Sequence, residues 1–380
     1  MHPVISADGH VDLPVLPADL FETFGDPALA SRLPRVVTGD DGVGRWVDEH
    51  GVELARVGGS GNTGQPYVAG QAERLDRMNE SGFWDDCANG VFHPSDPRLR
   101  IEAQDRDGIV GEVVYGILGM ANAIDDPVVG TAMMRAYNNW LVEFCAAHPD
   151  RLVGVACLPS GAPDLAAAEL RRCVDMGLNA VEIALTHDLL PLWRQEFAGL
   201  WAAAAEAGAI VHLHTIGPPV DTSAATSPRE VKSWMGSWLT VFQLRMVERL
   251  AELVFGGILH AHPGLRVVLG ESGIGWLPYV LDRMDLQYRE RFRQLELDLL
   301  PSEYWRRQMA ATFQLDEPGL LLAERIGVHT LMWGNDFPHG DGVWPDSMAV
   351  LDAQFASVDP AVRRAVTFEN AARLYGFPMA

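Results

Sequence analysis

Positive charge is scarce in this 380-residue chain: 29 Lys and Arg stand against 51 Asp and Glu, for a formal net charge of -22. Such an excess repels phosphate backbones and anionic membranes, and no run of basic residues offsets it, so neither nucleic acid nor a membrane surface is expected as a partner. Cysteine is also sparse. Cys87, Cys145, Cys157 and Cys173 show no C-x-x-C spacing and describe no disulfide framework, which predicts reduced, buried thiols. No uninterrupted apolar stretch approaches the roughly 18 residues of a membrane span. The N-terminus, MHPVISADGH, lacks the basic-then-apolar order of a secretion signal, so a cytoplasmic protein is expected.

What the chain does contain is apolar sequence in short runs. Hydrophobic residues make up 48% and charged residues 21%, the balance of a compact folded protein, and the length suits one elaborated α/β barrel. Eight runs recur: VISAD (4–8), IVGEVVYG (109–116), LVGVACLP (152–159), LNAVEIAL (178–185), AIVHLH (209–214), LRVVLGE (265–271), MAATF (309–313) and HTLMWGND (329–336). Near-continuous apolar runs mark parallel strands buried on both faces. Amphipathic segments such as DLAAAELRRCVDMG and FAGLWAAAAEAG lie between them and stop at glycine. The alternation predicts an α/β fold, a (β/α)8 TIM barrel with a long insertion after the first strand.

On this reading residues 1–380 form a single barrel domain. Residues 14–105, with the hairpin-like VVTGDDGVGRWV and the Gly-rich VGGSGNTGQPY, form an insertion or lid over the barrel mouth. A second candidate lid, PPVDTSAATSPREVKSWMGSWL, follows the fifth strand. Trp234, Trp238, Trp276, Trp333 and Trp344 fall in or near these mouth segments, where core packing accounts for most of them and an apolar pocket wall is the other reading.

Polar residues collect at the strand ends. Asp8 and His10 in SADGHVDL have the i, i+2 spacing that sets both side chains on one face of a strand, here at the C-terminal rim. His212 and His214 in VHLHT repeat that spacing on the fifth strand, Glu271 ends the sixth in LGES, and Asp336 ends the eighth in WGND. Taken singly these have plainer explanations, as caps, turns or hydrogen-bonded core groups. Together they would be costly to bury uncompensated, whereas a divalent cation held by imidazole and carboxylate satisfies them at once.

The stretches SADGHVDL, LWAAAAEAGAIVHLHT, HPGLRVVLGESGIGWLPYVLDRMD and LMWGNDFPHGD resemble the landmarks of the amidohydrolase-related (amidohydrolase 2) TIM-barrel family that includes aminocarboxymuconate semialdehyde decarboxylase and gamma-resorcylate decarboxylase. RAYNNWLVEFCAAHPDRLVGVACLP is similar to that family's central segment, so the resemblance covers most of the chain and is least typical before residue 105. It implies one divalent metal ion, zinc foremost with manganese or iron as alternatives, held by Asp8, His10, His214 and Asp336. His214 is preferred over His212 because Thr215 follows it, where the family carries a His before Pro or Thr. His212, one layer lower, is left to the core or to a supporting hydrogen bond. One departure stands out: the family's decarboxylases usually carry a His where this chain has Glu271, which can serve as acid or base but not as a cationic donor.

The expected activity is non-oxidative decarboxylation of a small aromatic or unsaturated acid, with Glu271 or Asp336 managing the proton delivered to carbon and His339, in DFPHGD, either a substrate or relay group or a hydrogen-bonding group of its loop. The first alternative is hydrolysis of a lactone, amide or related bond by metal-activated water, with Asp336 or Glu271 as base. The second is a barrel that binds a ligand without turning it over. No organic cofactor is required: VGGSGNTGQ lacks the Lys-Ser/Thr ending of a phosphate-binding loop, and GESGIG lacks the frame of a nucleophile elbow. A small-molecule substrate is expected, and a homodimer, the latter from the apolar helices of WMGSWLTVFQLRMVERLAELVFGGIL.

Overall fold

The computed structural model describes residues 2–379 other than 62, 118, 120–123, 125, 187–188 and 216–225. The start of the polar loop expected after the fifth barrel strand, residues 218–225, lies outside them. β1 (Val4–His10) is followed by a small antiparallel sheet of β2 (Arg35–Thr38), β3 (Gly44–Val47) and β4 (Glu53–Arg56). Next come β5 (Ile109–Tyr115), β6 (Leu152–Cys157), β7 (Ala180–Leu185), β8 (Ile210–Thr215), β9 (Arg266–Gly270), β10 (Met309–Phe313) and β11 (Leu331–Trp333). With β1 these form one parallel sheet in the order β1-β5-β6-β7-β8-β9-β10-β11. Two backbone hydrogen bonds carry the sheet from its last strand to its first: Asp336 N donates to Asp8 O at 2.8 Å, and His10 N donates to Phe337 O at 2.7 Å. The eight apolar runs are these eight strands, and the architecture is a (β/α)8 TIM barrel.

Alternate residues of each strand fill the lumen, among them Val113, Val155, Ile210, Val268, Ala310 and Met332, while Val114, Ala156, Val181, Val211 and Val267 pack outward with the helices. On β1 the alternation changes phase. Its pairing with β5 is irregular between Ser6 and Gly9, so Ile5 and Ala7 face the lumen below while Asp8 and His10 face it above. A bulge therefore re-aims the two polar side chains into the barrel. The helix Pro127–Ala146 shows how the outer layer is specified: Asp126 caps its first turn, Pro127 opens it, and Met133, Tyr137, Leu141 and Phe144 bury one face at helical spacing.

Between β1 and β5 the chain forms the predicted β2–β3 hairpin and several short helices. Trp46 of β3 packs edge-on to Phe21 in the main core. Met78, Phe83 and Trp84 pack on Phe337 and Trp344, beyond the end of β11. The helix Pro97–Asp107 is fastened to the barrel by Arg100, fully buried, whose Nε and Nη2 donate to Glu112 at 2.8 Å each and whose Nη1 donates to His10 O at 2.7 Å. Gly9 makes room for this pair, since a Cβ there would lie 2.1 Å from Glu112 Oε1.

The four cysteines are free and buried. No helix among the described residues is long and apolar enough to cross a membrane. Of the mouth tryptophans, Trp333 and Trp344 are core residues, their indoles donating to Gln314 O and Ala103 O. Trp234 and Trp238 lie on the helix Pro228–Val241, which buries none of its residues.

Candidate metal centre

Six polar side chains meet where β1, β8, β9 and β11 end. Asp8 and His10 come from the bulged end of β1, His214 from β8, Glu271 from the residue after β9, and Asp336 and His339 from the loop after β11. Both loop carboxylates sit in the left-handed backbone region, Glu271 at φ 49° and Asp336 at φ 57°, two of only three non-glycine residues with positive φ among the described residues. That conformation costs about 1–3 kcal/mol and persists only where surrounding bonds over-determine it. Here they do: Glu271 N donates to Thr312 Oγ1 at 2.7 Å and to Asp8 Oδ2 at 3.1 Å, and Asp336 N is held by Asp8 O. Thr312 Oγ1 in turn donates to Asp8 Oδ2 at 2.7 Å, fixing the Asp8 rotamer.

The donor atoms form linked triads. Asp8, His10 and His214 make one, His10, Asp336 and His339 a second, and Glu271, Asp336 and the exposed Asp341 a third, each with its ligand atoms within 4.8 Å of one another. His10 Nε2 lies 3.2 Å from Asp8 Oδ1 and 3.2 Å from Asp336 Oδ1, and His214 Nε2 lies 3.9 Å from Asp8 Oδ1 and 3.7 Å from Glu271 Oε2. Four donors around one tetrahedral cation at about 2.0–2.1 Å would stand roughly 3.3–3.4 Å apart. Among the described residues Asp336 Oδ2 is buried without a hydrogen-bond partner, an omission that is expensive for a carboxylate unless a cation completes it. Asp8, His10 and His214 thus fit a divalent metal in spacing and donor chemistry, and Asp336, 3.2 Å from His10 in the adjoining triad, adds the carboxylate with an unmet oxygen.

The electrostatics agree. Burial and the neighbouring His339 push the His10 imidazole down, but its hydrogen bonds to Asp336 and Asp8 outweigh them and raise it to about 9. Burial pushes Asp336 up, yet His339 and His10 hold it well below the usual carboxylate range. Burial likewise opposes charge on His339, but Asp336 and Asp12 keep it protonated. Protons on His10 and His339 therefore supply the positive charge that the carboxylates demand, and a cation taken up here would release the one on His10. Glu271 goes the other way: burial, then Asp336, Asp341 and Asp8, push its carboxyl far up, so it holds a proton.

His339 stands between two carboxylates. Its Nδ1 lies 2.9 Å from Asp336 Oδ1 and its Nε2 2.7 Å from Asp12 Oδ2, so both ring nitrogens are taken by carboxylates, the geometry of a relay or an orienting group. His212 lies one layer below the cluster. Its Nδ1 meets Tyr115 Oη at 2.7 Å and its Nε2 meets Tyr375 Oη at 3.4 Å, and burial lowers it to about 3, so it is neutral.

The profile of the family described as Amidohydrolase matches residues 45–377. The chain belongs to the amidohydrolase family. As a member, this amidohydrolase is an enzyme of the metal-dependent barrel class. It is 27% identical over 319 residues to the gamma-resorcylate decarboxylase of Rhodococcus jostii (strain RHA1), covering 77% of this chain and 91% of that protein. A solved amidohydrolase from Mycobacterium avium subsp. paratuberculosis K-10 superposes with a TM-score of 0.73 at 20% identity, covering 99% of each chain. A dihydroxybenzoic acid decarboxylase from Polaromonas sp. JS666, solved with bound manganese and the inhibitor 2-nitroresorcinol, gives 0.63 at 21% identity over 80% of this chain and 93% of that one. At these identities the likeness to solved structures is one of fold.

Three neighbours of the cluster escape a reading of the amidohydrolase sequence by strand ends alone. Asp12 continues the 8, 10 spacing by two more residues, the local signal that could have found it. Thr312 is the one hydroxyl in the apolar run MAATF. Tyr115, which stacks on His10 with ring centroids 5.4 Å apart, has no local signal that separates it from a core aromatic.

Proposed function

We propose that this amidohydrolase is a metal-dependent, non-oxidative decarboxylase of a small aromatic or unsaturated acid, with Asp8, His10, His214 and Asp336 as the ligands of one divalent cation. The observation that carries the reading is Glu271, a buried carboxyl 3.7 Å from His214 and in reach of Asp336, held in place by its own backbone N–H on Asp8 and Thr312. A bound cation would orient a substrate carboxylate or phenolate and offset its charge. Glu271 then gives its proton to the substrate carbon, the bond to the carboxylate breaks with its electron pair returning to the substrate, and carbon dioxide leaves. The Asp336–His339–Asp12 file keeps Asp336 ionised and oriented throughout. The relatives named decarboxylases support the same chemistry.

Two imidazoles and two carboxylates suit zinc, our first choice, and also manganese or iron, so metal content is measured on protein purified without added metal. Reaction of the metal-loaded enzyme with a panel of hydroxybenzoic and unsaturated acids in heavy water tests the activity. Decarboxylation releases carbon dioxide and places one solvent deuterium on the product carbon. Lactones and amides are run beside them in oxygen-18 water, and label appearing in a product acid, with no carbon dioxide from any acid, would overturn the proposal in favour of hydrolysis.

We further propose a cytoplasmic homodimer. The reduced, buried cysteines support the compartment. The exposed Trp234, Met235, Leu239 and Val241 on one unburied helix support the association, and a monomer mass by light scattering would end that part.

A further inference from the structure

The end of the barrel opposite the metal cluster carries a large concavity of about 1030 Å³, the size of sites that enclose small organic ligands. Its floor is the N-terminal layer of the lumen, including Ile210, Val268, Ala310 and Met332, with Tyr375 from the C-terminal helix Asn370–Tyr375. Its wall carries Arg266, Arg306, Arg307 and Arg373 and, among the described residues, no Asp or Glu. The scarcity of basic runs in the sequence hid this patch, because the four arginines come from three separate segments and only the fold gathers them.

None of the four forms an ion pair among the described residues. Arg306 donates to the carbonyl of Arg325 at 2.7 Å, Arg307 to the Gln308 side chain and the Leu259 carbonyl, and Arg266 to carbonyls of its own turn at 3.2–3.4 Å. Glu324 and Glu369 stand on a smaller neighbouring recess that shares Arg306 and Arg373, and Glu369 is held by Arg364 at 2.7 Å. In a chain where acids outnumber bases 51 to 29, four guanidinium groups without a carboxylate, ringed round an apolar floor, make a local field of the opposite sign to the whole.

We propose that this concavity is a binding site for an organic anion that joins an apolar body to a carboxylate or phosphate, the body on the lumen floor and the charge among the arginines. The site is separate from the metal cluster but in line with it. Tyr375 on its floor meets His212, His212 meets Tyr115, and Tyr115 stacks on His10, a single file of rings from one end of the lumen to the other.

The test uses the metal-loaded enzyme and the fluorescent probe anilinonaphthalene sulfonate, with decanoate, adenosine monophosphate and inorganic phosphate as competitors. Saturable probe binding is expected, weakened at least tenfold in Arg266→Glu/Arg373→Glu while metal content and melting temperature stay at the wild-type values. Displacement by decanoate identifies a carboxylate ligand, and displacement by adenosine monophosphate but not decanoate a phosphate. If the double variant unfolds, Arg373→Gln replaces it with an expected loss of at least threefold. Equal probe affinity in a folded variant and wild type, or no saturable binding of any probe below millimolar concentration, overturns the proposal.

Discussion

Thr312 supports the cluster from one side chain away. Its hydroxyl donates to Asp8 Oδ2 and accepts from Glu271 N, so one small group sets the rotamer of a proposed ligand and the backbone of the proposed acid. Thr312→Val keeps the shape of a fully buried strand position and removes both bonds. Metal affinity, measured by competition with a chelating dye, is expected to fall about 10–100-fold, the usual effect of losing a partner that orients a ligand. Unchanged affinity would mean that Glu271 N alone orients Asp8. Asp107 gives the pH dependence. It accepts from Ser347 N at 2.9 Å, from Ser347 Oγ and from Asn335 Nδ2 at 3.1 Å, yet burial dominates and raises it to about 6. The unfolded carboxyl titrates near 4. Between those values the folded chain keeps a proton that the unfolded chain has lost, so this group's contribution to stability is full below about pH 4 and declines as pH rises to about 6. The unfolding free energy of Asp107→Asn minus that of wild type should therefore rise across pH 4–6, and a flat difference by urea denaturation would contradict the shift.

At the level of elements, the closure of the barrel and the geometry of the cluster are one feature. β11 approaches β1 so closely that a Cβ at Gly334 would lie 2.3 Å from Asp8 Cβ, and the two closing hydrogen bonds belong to Asp8, His10 and Asp336 themselves. Arg100 carries the inserted segment into the same structure through its bond to His10 O. Arg100→Met leaves Glu112 charged and buried and is expected to cost about 3–5 kcal/mol, most of it recovered in Arg100→Met/Glu112→Leu. Chemical denaturation of the three proteins checks this, and equal stability of the two variants would show that packing, not the ion pair, holds the insertion. The strands were legible because a parallel strand buried on both faces has no choice but to be apolar throughout, as AVEIAL and MAATF are. The β2–β3 hairpin was legible from its turn, GDDG. The bulge was not, although Ile5 and Ala7 against Asp8 and His10 already conflict, since four such residues cannot share the lumen on a regular strand. Nor was the Arg100–Glu112 pair, because a charged residue in a polar helix looks solvent-facing until the fold buries it. Spacing brought Asp8, His10, His212 and His214 to notice and strand-end position Glu271 and Asp336, while the choice of Asp8, His10, His214 and Asp336 as ligands came from the family resemblance; what Glu271 and His339 touch depends on loops whose path no periodicity encodes.

Over the whole molecule the two ends of the lumen carry opposite charge, carboxylates at the C-terminal rim and unpaired guanidinium groups at the N-terminal floor. The rim is the costlier end to keep. Asp8, Asp12 and Asp336 are all buried, and the protons on His10 and His339 answer only part of their charge. A cation bound to the folded chain and not to the unfolded one stabilises it by about 2.7 kcal/mol when present at a hundred times its dissociation constant. Stripping the metal with a chelator should therefore lower the melting temperature by several degrees, and stoichiometric zinc or manganese should restore it. Asp336→Asn should show a much weaker response to both, because a neutral amide in place of this carboxylate offsets none of the cation's charge. A wild type whose melting temperature ignores both chelator and metal would show that the cluster is held together by its own imidazolium protons, and the proposed decarboxylase would lose its cation.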